Sequence, residues 1–263
     1  DQGSAAGSSS RAASQVVIAM THESEPAQGF NPVYAWGCGE HVHEPLIQST
    51  LVTTDADMQI VGDLATEWLC SDDGLTWTFT LRDDVVFSDG EPLSAADVAF
   101  TINTVRSTAG SQADLSVVED AAAVNDTTVE IQLAKPFNVL LYTLAVLGIV
   151  PEHAYDDNYG AHPVGSGRYV LAQWDQGQQA IFEANPHYYG EKPKMDRVVV
   201  VFMDEDAALA AARAGEVDVA YVNASNAGQQ IAGYVLTSYP TVDSRGIALP
   251  AVPAGETRTV EGD

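Results

Sequence analysis

The segment from Val198 to Tyr221 leaves the chain the fewest choices of fold. Val198 to Phe202 is a continuous apolar run of strand length, Asp204 stands where a helix N-cap belongs, and residues 207–214 are Ala-rich and stop at Gly215. Val217, Val219 and Tyr221 then alternate as the start of a further strand. Strand, capped helix, glycine and strand within about 25 residues make a βαβ unit. Two strands joined this way run parallel with a right-handed crossover, so the later part of the chain is α/β on a parallel or mixed sheet.

Upstream the pattern changes. Gln15 to Met20 reads as a first strand, and Phe30-Asn31-Pro32 turns the chain. From Thr76 to Leu81, Thr alternates with Trp77, Phe79 and Leu81, the mark of a strand with one buried face, and Asp72-Asp73-Gly74 and Ser88-Asp89-Gly90 supply turn chemistry on either side. Ser94 precedes a helix whose Val98, Ile102 and Val105 share one face, with Asp97 in the capping-box position. Val129, Ile131 and Leu133 alternate again, Pro136 opens a largely apolar stretch to Val150, and Gly165-Ser166-Gly167 breaks the chain. The middle is therefore a meander with one helix.

Charge and composition exclude several roles. Eleven Lys plus Arg against 37 Asp plus Glu give a net charge of -26, which repels phosphate backbones, so no nucleic-acid partner is expected. The longest apolar stretch, Val139 to Val150, contains Thr143 and falls well short of the roughly 20 residues a bilayer span needs. Residues 1–14 are mostly Gly, Ala and Ser and read as a flexible tether. Cys38 and Cys70 show neither metal nor redox spacing, and a disulfide or two thiols both fit. There is no Gly-x-Ser-x-Gly and no His-Glu-x-x-His, and Asp72-Asp73 and Asp83-Asp84 sit among turn residues as solvated surface, so no enzyme is expected.

Asp63-Leu-Ala-Thr-Glu-Trp68, the run from Ser71 to Asp84, Val86-Phe-Ser-Asp-Gly-Glu-Pro-Leu93 and Ala96-Asp-Val-Ala-Phe100 together form a long signature. It continues in Pro163-Val-Gly-Ser-Gly-Arg-Tyr169, in the stretch from Ala184 to Pro193 and in Ala214-Gly-Glu-Val-Asp218. This signature resembles that of the family 5 extracellular solute-binding proteins, receptors of ABC importers for oligopeptides, dipeptides and nickel chelates. The resemblance implies a periplasmic-binding-protein-like lobe I, α/β with a mixed sheet plus an inserted α+β subdomain. On this chain residues 15–45 and 163–250 would form the α/β part, 46–162 the insert, and 251–263 the start of a connection to a second lobe, which would be expected to follow Asp263. It also implies an extracellular, lipid-anchored receptor that hands a peptide, or alternatively a nickel chelate, to a membrane permease, with no cofactor.

The candidate ligand-binding residues lie mainly in the segment from Tyr34 to Glu44, where Tyr34 and Trp36 offer aromatic walls, Glu40 and His41 offer polar groups, and Gly37 and Gly39 free the backbone. In the receptors that the chain resembles, the corresponding loop lines the cleft. Packing between subdomains is the alternative role for Tyr34 and Trp36. His41 and His43, as imidazoles near carboxylates, are weak metal candidates, since no further cluster completes a site; with Glu40 they also define the rival reading, a metal-dependent hydrolase. Arg168, among few basic residues and directly after the Gly165 to Gly167 break, is suited to a ligand carboxylate, or else to an acidic neighbour on the surface.

Overall fold

A computed structural model of the chain describes residues 14–34, 45–111, 113–223 and 225–237. Its elements run β1 (Gln15–Met20), β2 (Val52–Thr54), β3 (Ile60–Gly62), β4 (Ala65–Cys70), β5 (Thr76–Leu81), α1 (Ala95–Ser107), β6 (Val118–Asn125), β7 (Thr128–Leu133), α2 (Leu140–Leu144), β8 (Tyr169–Asp175), β9 (Gln179–Ala184), β10 (Arg197–Phe202), α3 (Glu205–Ala214) and β11 (Val219–Ala220). They build two principal sheets, one of five strands in the order β11-β1-β10-β9-β8 and one of four in the order β4-β5-β7-β6, beside the small β2-β3 hairpin.

The βαβ unit read from the sequence is present, with one difference. β10 and β11 are not neighbours, because β1 lies between them and runs parallel to both. The β10–α3–β11 crossover therefore spans a strand contributed from nearly two hundred residues earlier in the chain. β9 and β8 extend the sheet antiparallel, which makes it mixed. Alternation along β1 fits its interior place in the sheet: Val17 and Ala19 face α3 with Ala208, Ala211 and Ala212, while Val16 and Ile18 join Phe182, Val198 and Phe202 on the opposite face. Gly215 closes α3 in the left-handed region at φ 73°, where a residue without Cβ is at least cost. Asp204 occupies the N-cap position but makes no side-chain capping hydrogen bond, a departure from the sequence expectation. The strand expected from Val217 to Tyr221 pairs only at Val219 and Ala220.

The four-stranded sheet is antiparallel throughout and takes all its strands from residues 65–133. The Phe79, Val129 and Ile131 face meets Val98, Ile102 and Val105 of α1, and this core is wholly enclosed. Asp97, 7% exposed, anchors the helix start: its carboxylate accepts the Ser94 N–H at 2.9 Å, the Ser94 hydroxyl at 3.0 Å and the Glu152 N–H at 3.1 Å. The apolar stretch after Pro136 resolves into short α2 and a buried extended run including Leu147, Ile149 and Val150.

The two sheets are joined where the chain crosses itself. Gly167 N–H donates to the Ile47 carbonyl at 2.7 Å and Tyr169 N–H to the Leu46 carbonyl at 3.0 Å. A Cβ on Gly165 would lie 2.1 Å from the Ile47 oxygen, so the glycine break in the sequence is the place where two backbones touch. Among the described residues no helix is long and apolar enough to cross a membrane.

Candidate functional site

The chain leaves β1 at its carboxyl end, and in open α/β sheets that edge, next to a strand-order reversal, is where ligands gather. The segment it enters is held on three counts. The Glu25 carboxylate accepts the Trp174 indole N–H at 2.7 Å and the Gly177 N–H at 2.8 Å. Phe30 packs edge-on against Trp174 and Phe182, with ring centres 5.3 and 5.5 Å away. Its N–H donates to the Gly160 carbonyl at 2.8 Å.

Asn31 then shapes the turn that presents Tyr34. Its side-chain oxygen accepts the Val33 N–H at 3.0 Å, and its amide donates to the Tyr155 hydroxyl at 3.1 Å. Val33 is fully buried, whereas Tyr34 is 40% exposed, so the turn plants one residue in the core and offers the next to solvent. Behind Tyr34 stand Tyr155 and, at ring separations of 5.5 and 5.2 Å from it, Phe100 and Tyr159. Burial raises the Tyr155 hydroxyl above the ordinary tyrosine value, with Tyr34 and Asp157 adding to the shift against the Asn31 bond. Tyr159 is enclosed; its hydroxyl donates to the Val164 carbonyl at 2.7 Å and accepts from Gln48 at 3.0 Å, and burial holds it protonated far above the usual range. The result is a rigid aromatic wall with one exposed phenol.

Trp36, Cys38, Glu40, His41 and His43 lie outside the described residues, so of the expected loop only Tyr34 has a place. Arg168 is exposed and sits in a different neighbourhood. Its guanidinium carbon lies 5.8 Å from the centre of the Tyr188 ring, and its carbonyl accepts the Asn185 N–H at 2.9 Å. Nearby, a cavity of about 500 Å³ is lined by Glu183, Asn185, Tyr188, Lys192, Asp196 and Arg197. Its charges are matched within it, Arg197 with Glu183 at 3.1 Å and Lys192 with Asp196 at 2.9 Å. Cys70 ends β4 with an exposed side chain. Among the described residues no group of three His, Cys, Asp or Glu is placed to hold a metal ion.

The signature segments prove to be mutual scaffolding. Asn185, in the run from Ala184 to Pro193, donates from its amide to the Gly167 carbonyl at 2.9 Å and accepts the His187 N–H at 2.9 Å. Tyr189 of the same run donates its hydroxyl to Asp63 Oδ1, while Asp63 Oδ2 accepts the Thr50 N–H at 3.0 Å. Tyr155, Tyr188 and Tyr189 are not among the candidate site residues that the sequence offers. The paired tyrosines inside an Asn-Pro turn were the available signal, and Tyr155 offered none.

A mixed sheet carrying a helix-covered βαβ unit, with a separate antiparallel sheet between its first and later strands, is the architecture of a solute-binding receptor lobe. Residues 59–249 match the bacterial extracellular solute-binding proteins, family 5 Middle, and the chain belongs to this family. It is 37% identical over 183 residues to a probable D,D-dipeptide-binding periplasmic protein of Escherichia coli, covering 64% of this chain and 35% of that protein. It is 30% identical over 210 residues to the nickel-binding periplasmic protein of the same organism, covering 73% and 40%. Among solved structures it is similar to NikZ from Campylobacter jejuni in complex with Ni(L-His), with TM-score 0.72 and 29% identity over 81% of this chain and 44% of that one. AgaA from A. tumefaciens R10 in complex with agropinic acid gives TM-score 0.72 and 27% identity over 81% and 45%. The chain thus spans about 35–45% of the length of these relatives.

Proposed function

We propose that this chain forms one wall of the ligand cleft of an ABC-importer receptor that works outside the cytoplasm, held to the membrane through its first residues, and passes a short peptide to a permease. The residues that act are those that bind; no bond is made or broken. The observation that carries the reading is Tyr34, exposed on a turn pinned by buried Val33 and by Asn31, in the segment that follows β1 of a family 5 fold. Residues 15–45 and 163–250 serve as the α/β part and 46–162 as the insert. Trp36, Glu40 and His41 are, with Tyr34, the candidate ligand contacts, and Arg168 is the group suited to a carboxylate. A nickel chelate is the second reading, favoured by the nickel-binding relative and by the neighbour holding Ni(L-His); here the metal is cargo.

A cleft receptor buries its ligand between two walls, and one wall forfeits a large part of the contact. Losing about 4 kcal/mol turns a micromolar site into a millimolar one. Titration of this chain with dipeptides and with Ni(L-His), followed by ligand-observed NMR, is expected to show millimolar binding of one class that weakens on Tyr34→Ala. Micromolar binding shows that the whole site lies within this chain. Absence of any response to either class rejects the reading.

A further inference from the structure

The two sheets are connected covalently only through the paired crossing at Leu46–Ile47 and Gly165–Gly167, a thin two-stranded strap with no side chains on the glycines. Such a strap has the makings of a hinge, a few positions that absorb rotation between two packed bodies. Side chains reach across beside it, among them Val33, Asn31 through its bond to Tyr155, and Tyr189. Tyr189 comes from the β9–β10 loop of the five-stranded sheet and packs against the core of the four-stranded unit.

Tyr189 is gripped from several sides. Its hydroxyl donates to Asp63 Oδ1, a charge-assisted bond, and the other oxygen of Asp63 is occupied by the Thr50 N–H. The Arg82 guanidinium lies 4.9 Å from the ring centre and is itself held by Asp84 in a bidentate pair at 2.9 and 2.8 Å. Tyr188, which packs near Arg168, lies tilted at 46° against the same ring with centres 4.9 Å apart. Burial first, then the Asp63 charge, holds the phenol protonated far above its usual range, so the donor is always available.

We propose that Tyr189, held by Asp63 and Arg82, is a latch that fixes the angle between the two sheets and so positions the Tyr34 wall relative to the side of the lobe that bears Arg168. The β1 loop makes further contacts, the Phe30 N–H to the Gly160 carbonyl, the Gln48 side-chain amide to the Phe30 carbonyl and the Asn31 amide to the Tyr155 hydroxyl, and these lie apart from the Asp63–Tyr189 bond. The latch rests on a single hydroxyl. Its consequence for binding depends on the receptor reading, but the latch does not, and its test uses no ligand.

Nitroxide labels at exposed Gln176 and Val124, in a Cys38→Ser, Cys70→Ser background, report the separation of the sheets by pulsed dipolar spectroscopy. Tyr189→Phe keeps the ring and removes the donor. It is expected to widen the distance distribution about twofold, as a freed hinge does, with the circular dichroism of the parent retained. Asp63→Asn, which cannot accept at both of its positions, is expected to widen it likewise and carries the test should Tyr189→Phe not fold. Arg197→Gln, which breaks an exposed pair away from the latch, should leave the width unchanged. Parent-like widths in both latch variants overturn the proposal, as does equal broadening by Arg197→Gln.

Discussion

The four-stranded and the five-stranded sheets solve the same problem, burying an apolar face, with different resources. The first draws every strand and its helix from residues 65–133, and its core is sealed, with Phe79, Val98, Ile102, Val129 and Ile131 all fully buried. The second recruits β1 from the start of the described chain and the rest from beyond Tyr169, and it splits its apolar residues between two thinner layers, one under α3 and one under Phe30 and Ile47. Local assembly gives a self-sufficient unit. Assembly from distant segments gives a sheet whose faces depend on loops, and those loops carry the candidate wall.

The largest expected effect tests that contrast directly. Leu133, 1% exposed in the four-stranded unit, and Leu171, only partly buried on β8, allow the same chemical change in both places. Leu133→Ala should cost ~2–5 kcal/mol because its cavity cannot collapse, and Leu171→Ala less than half of that. Urea denaturation gives both numbers, and equal losses would show that the two cores are equally tight.

The sequence displayed the local half of this contrast well. The alternation at Trp77, Phe79 and Leu81, the Val98, Ile102 and Val105 stripe and the Ser94 and Asp97 pair are each short-range patterns, and each became the element expected. β6 was not visible, because its Val-Glu-Asp-Ala-Ala-Ala-Val-Asn has little alternation and is a strand by virtue of pairing with β7 and packing under α1. The insertion of β1 between β10 and β11 is a long-range fact that no local period encodes. The same holds for the site: Tyr34 stood out as an aromatic in a glycine-flanked loop, but Tyr155 behind it and the Asp63–Tyr189 contact join residues more than a hundred positions apart.

The crossing between the sheets should be the next most sensitive place. Gly165→Ala must displace the Ile47 carbonyl, at a cost of about 1–3 kcal/mol as overpacking. Amide hydrogen exchange is expected to show early loss of protection at Gly167 and Tyr169, with the interiors of both sheets unchanged. Uniform loss across both sheets would mean that the units do not behave separately.

Alkaline pH probes the same junction through its buried phenols. Tyr159 and Tyr189 have folded-state values raised by burial above the unfolded value of about 10. A group raised in this way contributes its full stabilisation below the unfolded value, and the contribution is lost as pH rises through about 10 toward the folded value, because only the unfolded chain then releases the proton. Denaturation midpoints should therefore hold below pH ~10 and fall above it, with part of the tyrosinate absorbance appearing only on unfolding. A complete tyrosinate signal before unfolding would show that both phenols reach solvent in the folded chain.

The smallest effect compares the two helix starts, which look alike in sequence and differ in the fold. Asp97 is buried and its carboxylate serves three donors, so Asp97→Ala strands buried groups and should cost about 1–3 kcal/mol. Asp204 has the extended backbone of an N-cap, at φ -63° and ψ 152°, but its side chain bonds nothing in the first turn of α3. The acidic group engaged there is Glu205, which accepts the Asn223 N–H at 2.7 Å and ties the helix to the chain after β11. Asp204→Ala should therefore forfeit only its favourable charge at the helix N-terminus, a few tenths of a kcal/mol or about 0.3 at moderate salt, well below the ~1 kcal/mol of a working cap. A loss near that larger value would mean that Asp204 caps α3 in solution, and would remove this difference between the two units.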